Sequence, residues 1–404
     1  MTAGVASRTT VGLGAAAACL TGVVVLAAHE AADASSSPLS PPDPWQIVLV
    51  AAAVAAFAAY VGVLLLLRRG AALAPIVALV VVAQLLALAG PTLLSRDVYA
   101  YWAYGRTGAV HGGNPYRDAP AAWPDDPATV RMGSSWREQP SLYGPVFTGM
   151  SEVVARLAGD SPRRASTLFR GLAAASIVAI VLLAAVLARN RAFAAAFVGL
   201  NPLVVLHFGG GGHNDAPMIA LVLGALVLHR RRHTGASGLA WALSALVKWV
   251  SLAFLALVVV GERRARGPRL LAWSAVWLGA LAVAATLRYG TEWLGAAERL
   301  SEQARRTGSI GLSGWLGDIG LSHRPTVVVI GVLTLVAAGW LLAQAWRGRV
   351  RIGLAGVLLA VLQGWLNPWY ALWGLGLAAT EEDRTAWILA VALSAFQLTD
   401  ALPI

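Results

Sequence analysis

One carboxylate stands just beyond the end of an apolar run. Ser95-Arg96-Asp97-Val98-Tyr99-Ala100-Tyr101 follows a stretch that closes at Gly90-Pro91. A helix opening at Ser95, whose hydroxyl is a favourable cap, puts Asp97, Tyr101 and Tyr104 at i, i+4 and i+7, on one face. A carboxylate so placed can take a proton from a hydroxyl, help worth roughly 10²–10⁴ in rate. Two considerations weigh against chemistry. A helix N-terminus favours the ionised form and lowers its basicity, and an ion pair with Arg96 or Arg106, or a capping role, would also explain an acid here.

The second polar constellation is Gly209-Gly210-Gly211-Gly212-His213-Asn214-Asp215. The glycines let backbone turn tightly or pass close to a ligand. Asp215 reads as a helix N-cap with Pro217 in the first turn, and His213 and Asn214 are expected on the outer face. Polar groups at such a depth are functional candidates, against the plainer reading of a capped helix start after a flexible turn. No Gly-Lys-Ser/Thr follows the glycines, so a phosphate loop is not indicated. No His and carboxylate cluster has ligand spacing, so no metal is expected. Three Pro-aromatic turns complete the set: Asn114-Pro115-Tyr116, Tyr143-Gly144-Pro145 and Asn367-Pro368-Trp369-Tyr370. Each suits an interfacial aromatic belt; converging near one carboxylate, they would suit stacking on a sugar ring.

A phosphate-bearing ligand needs cations, best supplied by Arg or Lys. Those in the loops are Arg96, Arg288, Arg305, Arg306, His323 and Arg324. Lys248, the chain's only lysine, is buried in an apolar run, which calls for a polar role, structural or phosphate-binding.

The elements that must position these residues are membrane helices. The chain has 404 residues, 58% hydrophobic and 13% charged, with mean hydropathy +0.67. Repeated apolar runs of roughly 18–22 residues indicate spans, giving an all-α polytopic protein of about 11–13 segments in a single domain over 1–404. The net charge of +11 is concentrated in arginine clusters at span ends, such as Arg68-Arg69, Arg230-Arg231-Arg232 and Arg263-Arg264-Ala265-Arg266. That placement sets topology and contact with membrane lipids rather than nucleic acid. Cys19 stands alone, so no intrachain disulfide forms.

Residues 11–28 read as an uncleaved first span, preferred over a cleaved signal peptide. The arginines after the second span put the Asp97 loop, 92–164, outside, with a second external loop at 288–325. The first loop carries too many aromatics for disorder, and its apolar stretch 146–157 reads as an interfacial helix. Residues 239–260 have basic clusters on both sides, which favours a hairpin of two short helices broken near Lys248.

In this order the motifs resemble those of the GT-C membrane glycosyltransferases, most closely the actinobacterial polyprenol-phosphomannose-dependent α-mannosyltransferases that build lipomannan backbones. The resemblance rests on Leu94 to Tyr101, Gly112-Gly113-Asn114-Pro115-Tyr116, Tyr143-Gly144-Pro145, Gly212 to Asp215, and Asn367 to Tyr370. It implies a helical bundle in the plasma membrane with its active site on the periplasmic face. It implies a polyprenyl-phosphate-mannose donor, a mannan or lipoglycan acceptor, inversion at the anomeric carbon and no cofactor, with α-1,6 linkage expected. Asp97 matches the family's acidic residue in the first large external loop, the implied base. His213-Asn214-Asp215 matches a second polar element near the site. Arg96, Tyr101, Tyr104, Asn114, Tyr116, Tyr143, Lys248, Arg324, Trp369 and Tyr370 are the candidates for holding donor and acceptor. The competing readings are a lipid-linked sugar transporter or flippase, an enzyme using another polyprenyl-phosphate sugar such as arabinofuranose, and a non-catalytic envelope assembly protein.

Overall fold

A computed structural model describes residues 44–400 apart from position 69, together with the isolated positions 12, 21 and 22. The expected first span therefore lies outside the described residues but for those positions. In chain order the helices are α1 (Pro44–Leu67), α2 (Leu73–Ala89), α3 (Asp97–Ala109), α4 (Pro127–Arg131), α5 (Pro145–Ala158), α6 (Pro162–Leu187), α7 (Arg191–Gly199), α8 (Pro202–Val204, continued by a π-helical turn, Val205–Gly210), α9 (Asp215–Arg230), α10 (Thr234–Val247), α11 (Ser251–Gly261), α12 (Gly267–Tyr289), α13 (Gly295–Ala304), α14 (Leu312–Asp318), α15 (His323–Trp346), α16 (Ile352–Val361), α17 (Ala371–Ala378) and α18 (Arg384–Asp400). Among the described residues there is no strand.

The all-α polytopic class holds. Segments Val50–Leu67, Pro162–Leu187, Gly267–Tyr289 and His323–Trp346 are each long and apolar enough to cross a membrane alone. Arg191–Gly199 and Pro202–Gly210 form a pair bent by 54°, a fifth span if counted as one. The other apolar runs are short helices, and their arrangement matters more than their number. In α10 and α11 the chain does break at Lys248, and both arms return to one end: His229 at the close of α9 meets Glu262 after α11 at 2.8 Å. Helices α16 and α17 form a second hairpin. Its open ends are joined by Arg351 to Asp383 at 2.7 and 2.9 Å, and Glu381 accepts the N–H groups of Ile352 and Gly353. Glycine makes the close approach possible, since a Cβ on Gly356 would lie 2.3 Å from the Trp373 carbonyl oxygen. Small residues of this kind are how membrane helices draw together. Both hairpins point their tips, Lys248 and Asn367–Tyr370, at the N-terminus of α9.

The Asp97 loop is ordered by its own buried polar core. Arg106 donates to both oxygens of Asp126 at 2.9 and 2.7 Å and to Gly159 O at 2.8 Å. His111 adds a 2.7 Å contact to Asp126 and stacks on Trp123. Arg106 is therefore committed and is not the partner of Asp97. The apolar stretch expected at 146–157 is α5, burying Phe147, Thr148, Ser151, Glu152 and Ala155 while Val153 and Leu157 stay exposed. It packs on α3 at Gly105, where a Cβ would sit 2.1 Å from Ser151 O. Gly105→Ala is expected to force the two helices apart and cost about 1–3 kcal/mol as overpacking, read as a lowered melting temperature in detergent; an unchanged melting temperature would mean that α3 and α5 can slide.

Candidate active site

Helix α3 starts as its sequence implies. The backbone N–H of Asp97 donates to Ser95 Oγ at 3.1 Å, although the capping position itself falls on Arg96. The expected face is formed: Tyr101 and Tyr104 are both buried and meet Tyr143, with ring centroids 5.0 and 6.1 Å apart. Tyr143 thereby joins the second Pro-aromatic turn to the Asp97 helix.

The glycine turn lies directly behind. The π-helical turn carries the chain past α2, where Leu93 N donates to Gly210 O at 3.0 Å. Arg170, buried on α6, donates to the carbonyls of Ala87, Gly90 and Gly209. These bonds fix the end of α2, and with it the approach to Asp97, against the start of the polar turn. π-Helical segments of this sort are concentrated at functional sites. His213 Nδ1 then stands 3.4 Å from Asp97 Oδ2, and its ring stacks on Trp369 with centroids 3.8 Å apart. The third Pro-aromatic turn thus arrives from the far end of the sequence.

One correction concerns this turn, in which His213 and Asn214 are both buried. Asp215 is not a cap; Asn214 occupies that position, and the Asp215 carboxylate is used in full elsewhere. It accepts from Lys248 Nζ at 2.7 and 2.9 Å and from Trp373 Nε1 at 2.6 Å. Lys248 in turn lies 4.9 Å from the Tyr370 ring centroid and 5.5 Å from that of Trp373.

The two acids therefore differ in kind. Asp215 is fully buried and neutralised. The Asp97 side chain keeps 26% of its surface exposed. Burial alone would raise its pKa. The His213 imidazole, the Ser95 hydroxyl and the charge of Lys248 outweigh that and hold the carboxyl below its ordinary range. Around it, burial and the Asp97 charge push the Tyr104 and Tyr143 hydroxyls up, so they remain protonated donors. The Tyr104 hydroxyl, the Asn214 amide nitrogen and both His213 nitrogens are buried without a hydrogen-bond partner in the protein. Buried polar atoms are nearly always satisfied, so this cluster beside the part-exposed carboxylate is the candidate for contact with a polar ligand.

The other sequence candidates fall away from this centre. Asn114 and Tyr116 sit one layer back: Asn114 Nδ2 donates to Tyr289 O at 2.6 Å, and the Tyr116 hydroxyl donates to Thr148 Oγ1 at 2.9 Å. Tyr116 also donates to Tyr143 O at 3.0 Å, so it braces Tyr143 while Asn114 ties its loop to the end of α12. Arg96 is exposed, as is Arg324 near the start of α15, and neither makes a described contact with the Asp97 group. Arg288 is bound by Glu152 at 2.9 Å. Three residues escaped the sequence reading. Trp373 stood in an apolar helix without comment, although an indole N–H needs a partner when buried. Arg170 left a clear signal, an arginine inside a span. Arg299 holds Ser141 O at 3.0 Å, close enough to Tyr104 and Tyr116 to act on their ionisation; nothing in its surroundings along the chain distinguishes it.

Fold and site together define a polytopic, all-helical membrane protein in which hairpin tips and the loop 92–164 enclose a part-exposed carboxylate, a histidine and a lysine-bound second acid. The chain belongs to the alpha-(1->6)-mannopyranosyltransferase family, whose N-terminal-domain description matches residues 1–264, a span that includes Asp97, His213, Asp215 and Lys248. It is similar to a probable alpha-(1->6)-mannopyranosyltransferase of Mycolicibacterium smegmatis, 30% identical over 350 residues, covering 71% of this chain and 62% of the relative. It is also similar to an alpha-(1->6)-mannopyranosyltransferase of Mycobacterium tuberculosis, 28% identical over 387 residues, covering 76% and 65%. Alpha-(1->6)-mannopyranosyltransferase B of Corynebacterium glutamicum is 27% identical over 349 residues, covering 74% and 57%. The matches thus span 57–65% of the length of these relatives. No solved structure matches the chain.

Proposed function

We propose that this chain is an inverting glycosyltransferase that moves a mannosyl unit from a polyprenyl-phosphate donor to a glycan or lipoglycan acceptor hydroxyl at the outer face of the plasma membrane, forming an α-1,6-mannoside. The observation that carries the reading is the division of labour between the acids: Asp215 is saturated by Lys248 and Trp373, while Asp97 is ionised, half-open and unsaturated. On this scheme the acceptor hydroxyl sits against Asp97. Its oxygen forms the new bond to the anomeric carbon as the carbon–oxygen bond to phosphate breaks. The bonding pair leaves with the phosphate, and the acceptor proton passes to Asp97. The phosphate is a good leaving group, so the protein supplies positive charge rather than a strong acid; Lys248 is the cation nearest the carboxylates. Trp369, fixed against His213, and Tyr143 offer the apolar faces against which a sugar ring rests. No metal or cofactor enters this scheme.

The direct test is incubation of the purified protein with labelled polyprenyl-phosphomannose and a short mannoside. A labelled product of inverted anomeric configuration supports the proposal. Absence of product with any polyprenyl-phosphate sugar, alongside movement of labelled donor across a vesicle membrane, would turn the reading to a flippase. The depressed Asp97 pKa adds a second expectation. The base form is complete at pH values well above its folded pKa and is lost only as pH falls through that value, below the ordinary carboxylate figure of about 3.9. kcat/KM is therefore expected to show no acid limb from this group between about pH 5 and 7. An acid limb in that window that Asp97→Asn abolishes would keep Asp97 as the base and overturn its lowered pKa.

A further inference from the structure

At the end of the bundle opposite Asp97, a cavity of about 470 Å³ opens between the C-terminus of α6, the start of α7, the end of α9 and the connection from α17 to α18. The 26 residues of α6, at 1.5 Å each, put it about 39 Å along that helix from the Asp97 loop. Four arginines line it: Arg68, Arg189, Arg230 and Arg384. A topology rule explains why arginines gather on one face of the membrane; it does not explain why four from separate segments share one concave wall.

The carboxylates of the same cavity are already committed. Glu382 pairs with Arg189 at 3.0 Å. Glu381 accepts from Ile352 N at 2.7 Å and Gly353 N at 3.1 Å, closing the first turn of α16. Arg230 reaches the Leu187 carbonyl at 3.1 Å. Among the described residues, Arg68 and Arg384 have no carboxylate within ion-pair distance. The remaining wall is apolar and rigid: Trp387 donates its indole N–H to Ala378 O at 2.8 Å and packs on Phe193 with centroids 4.9 Å apart. The volume falls within the range of small-ligand sites, and its make-up, a basic mouth over an aromatic and aliphatic floor, fits an anion that carries an apolar continuation.

We propose that this cavity binds a phosphate group, held by Arg68, Arg384 and Arg230, with the phosphate belonging to an anionic membrane lipid whose apolar part rests against Phe193, Trp387 and Leu187. Arginine suits that ligand because its fork matches two phosphate oxygens at once. The site is separate from the Asp97 centre in place and in chemistry. It adjoins the base of the α16–α17 hairpin, whose tip carries Trp369 and Tyr370, so an occupant would stiffen the hairpin from its open end.

The test uses the full chain in a neutral detergent, melted with additions of phosphatidylglycerol, of phosphatidylcholine, or of inorganic phosphate at ionic strength matched with chloride. Phosphatidylglycerol is expected to raise Tm by about 3–5 °C at saturation, the scale that mass action gives a bound ligand, with phosphatidylcholine and chloride inert. Arg68→Gln combined with Arg384→Gln should reduce the shift at least threefold. Thr380→Glu, which adds negative charge to the wall while leaving every arginine in place, should reduce it equally. A matching shift with inorganic phosphate, lost in the same variants, would keep the phosphate site but assign it to a soluble ligand and overturn the lipid. Stabilisation that survives both variants, or none with either anion, overturns the site. Neither result bears on mannosyl transfer, which is measured separately.

Discussion

Asp97→Asn is expected to lower kcat/KM for mannosyl transfer by about 10²–10⁴, the range that a positioned general base contributes, while shifting Tm by less than about 2 °C. The asymmetry follows from how the residue is held. Its backbone N–H donates to Ser95 Oγ at 3.1 Å, the Ser95 hydroxyl also acts on its carboxylate, and its side chain stands 3.4 Å from His213. Asparagine matches its size and keeps an acceptor oxygen, so the fold loses little. The reaction loses its proton acceptor. The loss should fall on kcat with KM nearly unchanged, because proton removal matters in the transition state and not in the bound ground state. His213→Ala should behave differently: it removes the stacking partner of Trp369, so KM is expected to rise along with a smaller loss of kcat. Turnover of Asp97→Asn within fivefold of the native chain would transfer the base role elsewhere. Asp215 could not inherit it without first releasing Lys248 and Trp373.

Much of the local structure was legible in the residues. The face shared by Asp97, Tyr101 and Tyr104 follows from helical spacing. The order of the loop 92–164 follows from its aromatic content, realised as the Arg106–Asp126–His111 core. The break at Lys248 follows from a conflict between basic clusters on both flanks, which a returning chain resolves and a straight span would meet only by breaking the charge rule. Convergence was not legible. Residues 97, 213–215, 248 and 369–373 meet because two hairpins bring their tips to the N-terminus of α9, with small residues where the arms pack, as at Gly356. Periodicity reports which face of a helix is polar; it does not report which ends coincide. The same gap explains the errors. Asp215 has every local sign of a cap, and only the arrival of Lys248 and Trp373 makes it an ion-pair partner. Tyr116 looks like its fellow Pro-aromatic turns and becomes a brace because Thr148 and Tyr289 close over it.

The largest effect on stability is expected at the lysine. In Lys248→Met the Asp215 carboxylate, wholly buried, keeps only the Trp373 indole as a donor. An uncompensated buried charge costs about 3–5 kcal/mol, and Tm in detergent should fall by about 5–10 °C on the scale of large domains. Replacing both members, Lys248→Met with Asp215→Leu, removes the charge along with its partner and should recover most of the loss, since an apolar pair of similar volume is often neutral there. The two residues are in direct contact, so their effects should be strongly non-additive. Activity should not recover with stability. The double variant lacks the cation whose charge acts on Asp97, and its transfer rate is expected to remain at least tenfold down after its Tm returns. If the single variant melts with the native chain, the pair is not holding the tips together. If the double variant is fully active, the lysine belongs to the fold alone. The argument also runs back to Asp97. Lys248 is committed to Asp215 at 2.7 Å and lowers the Asp97 pKa only through its field. A lysine released from Asp215 would be free to pair with Asp97 and block its approach to an acceptor. Asp215→Asn is the variant that exposes this: its activity should fall further than its stability, because it leaves the lysine in place without its anchor.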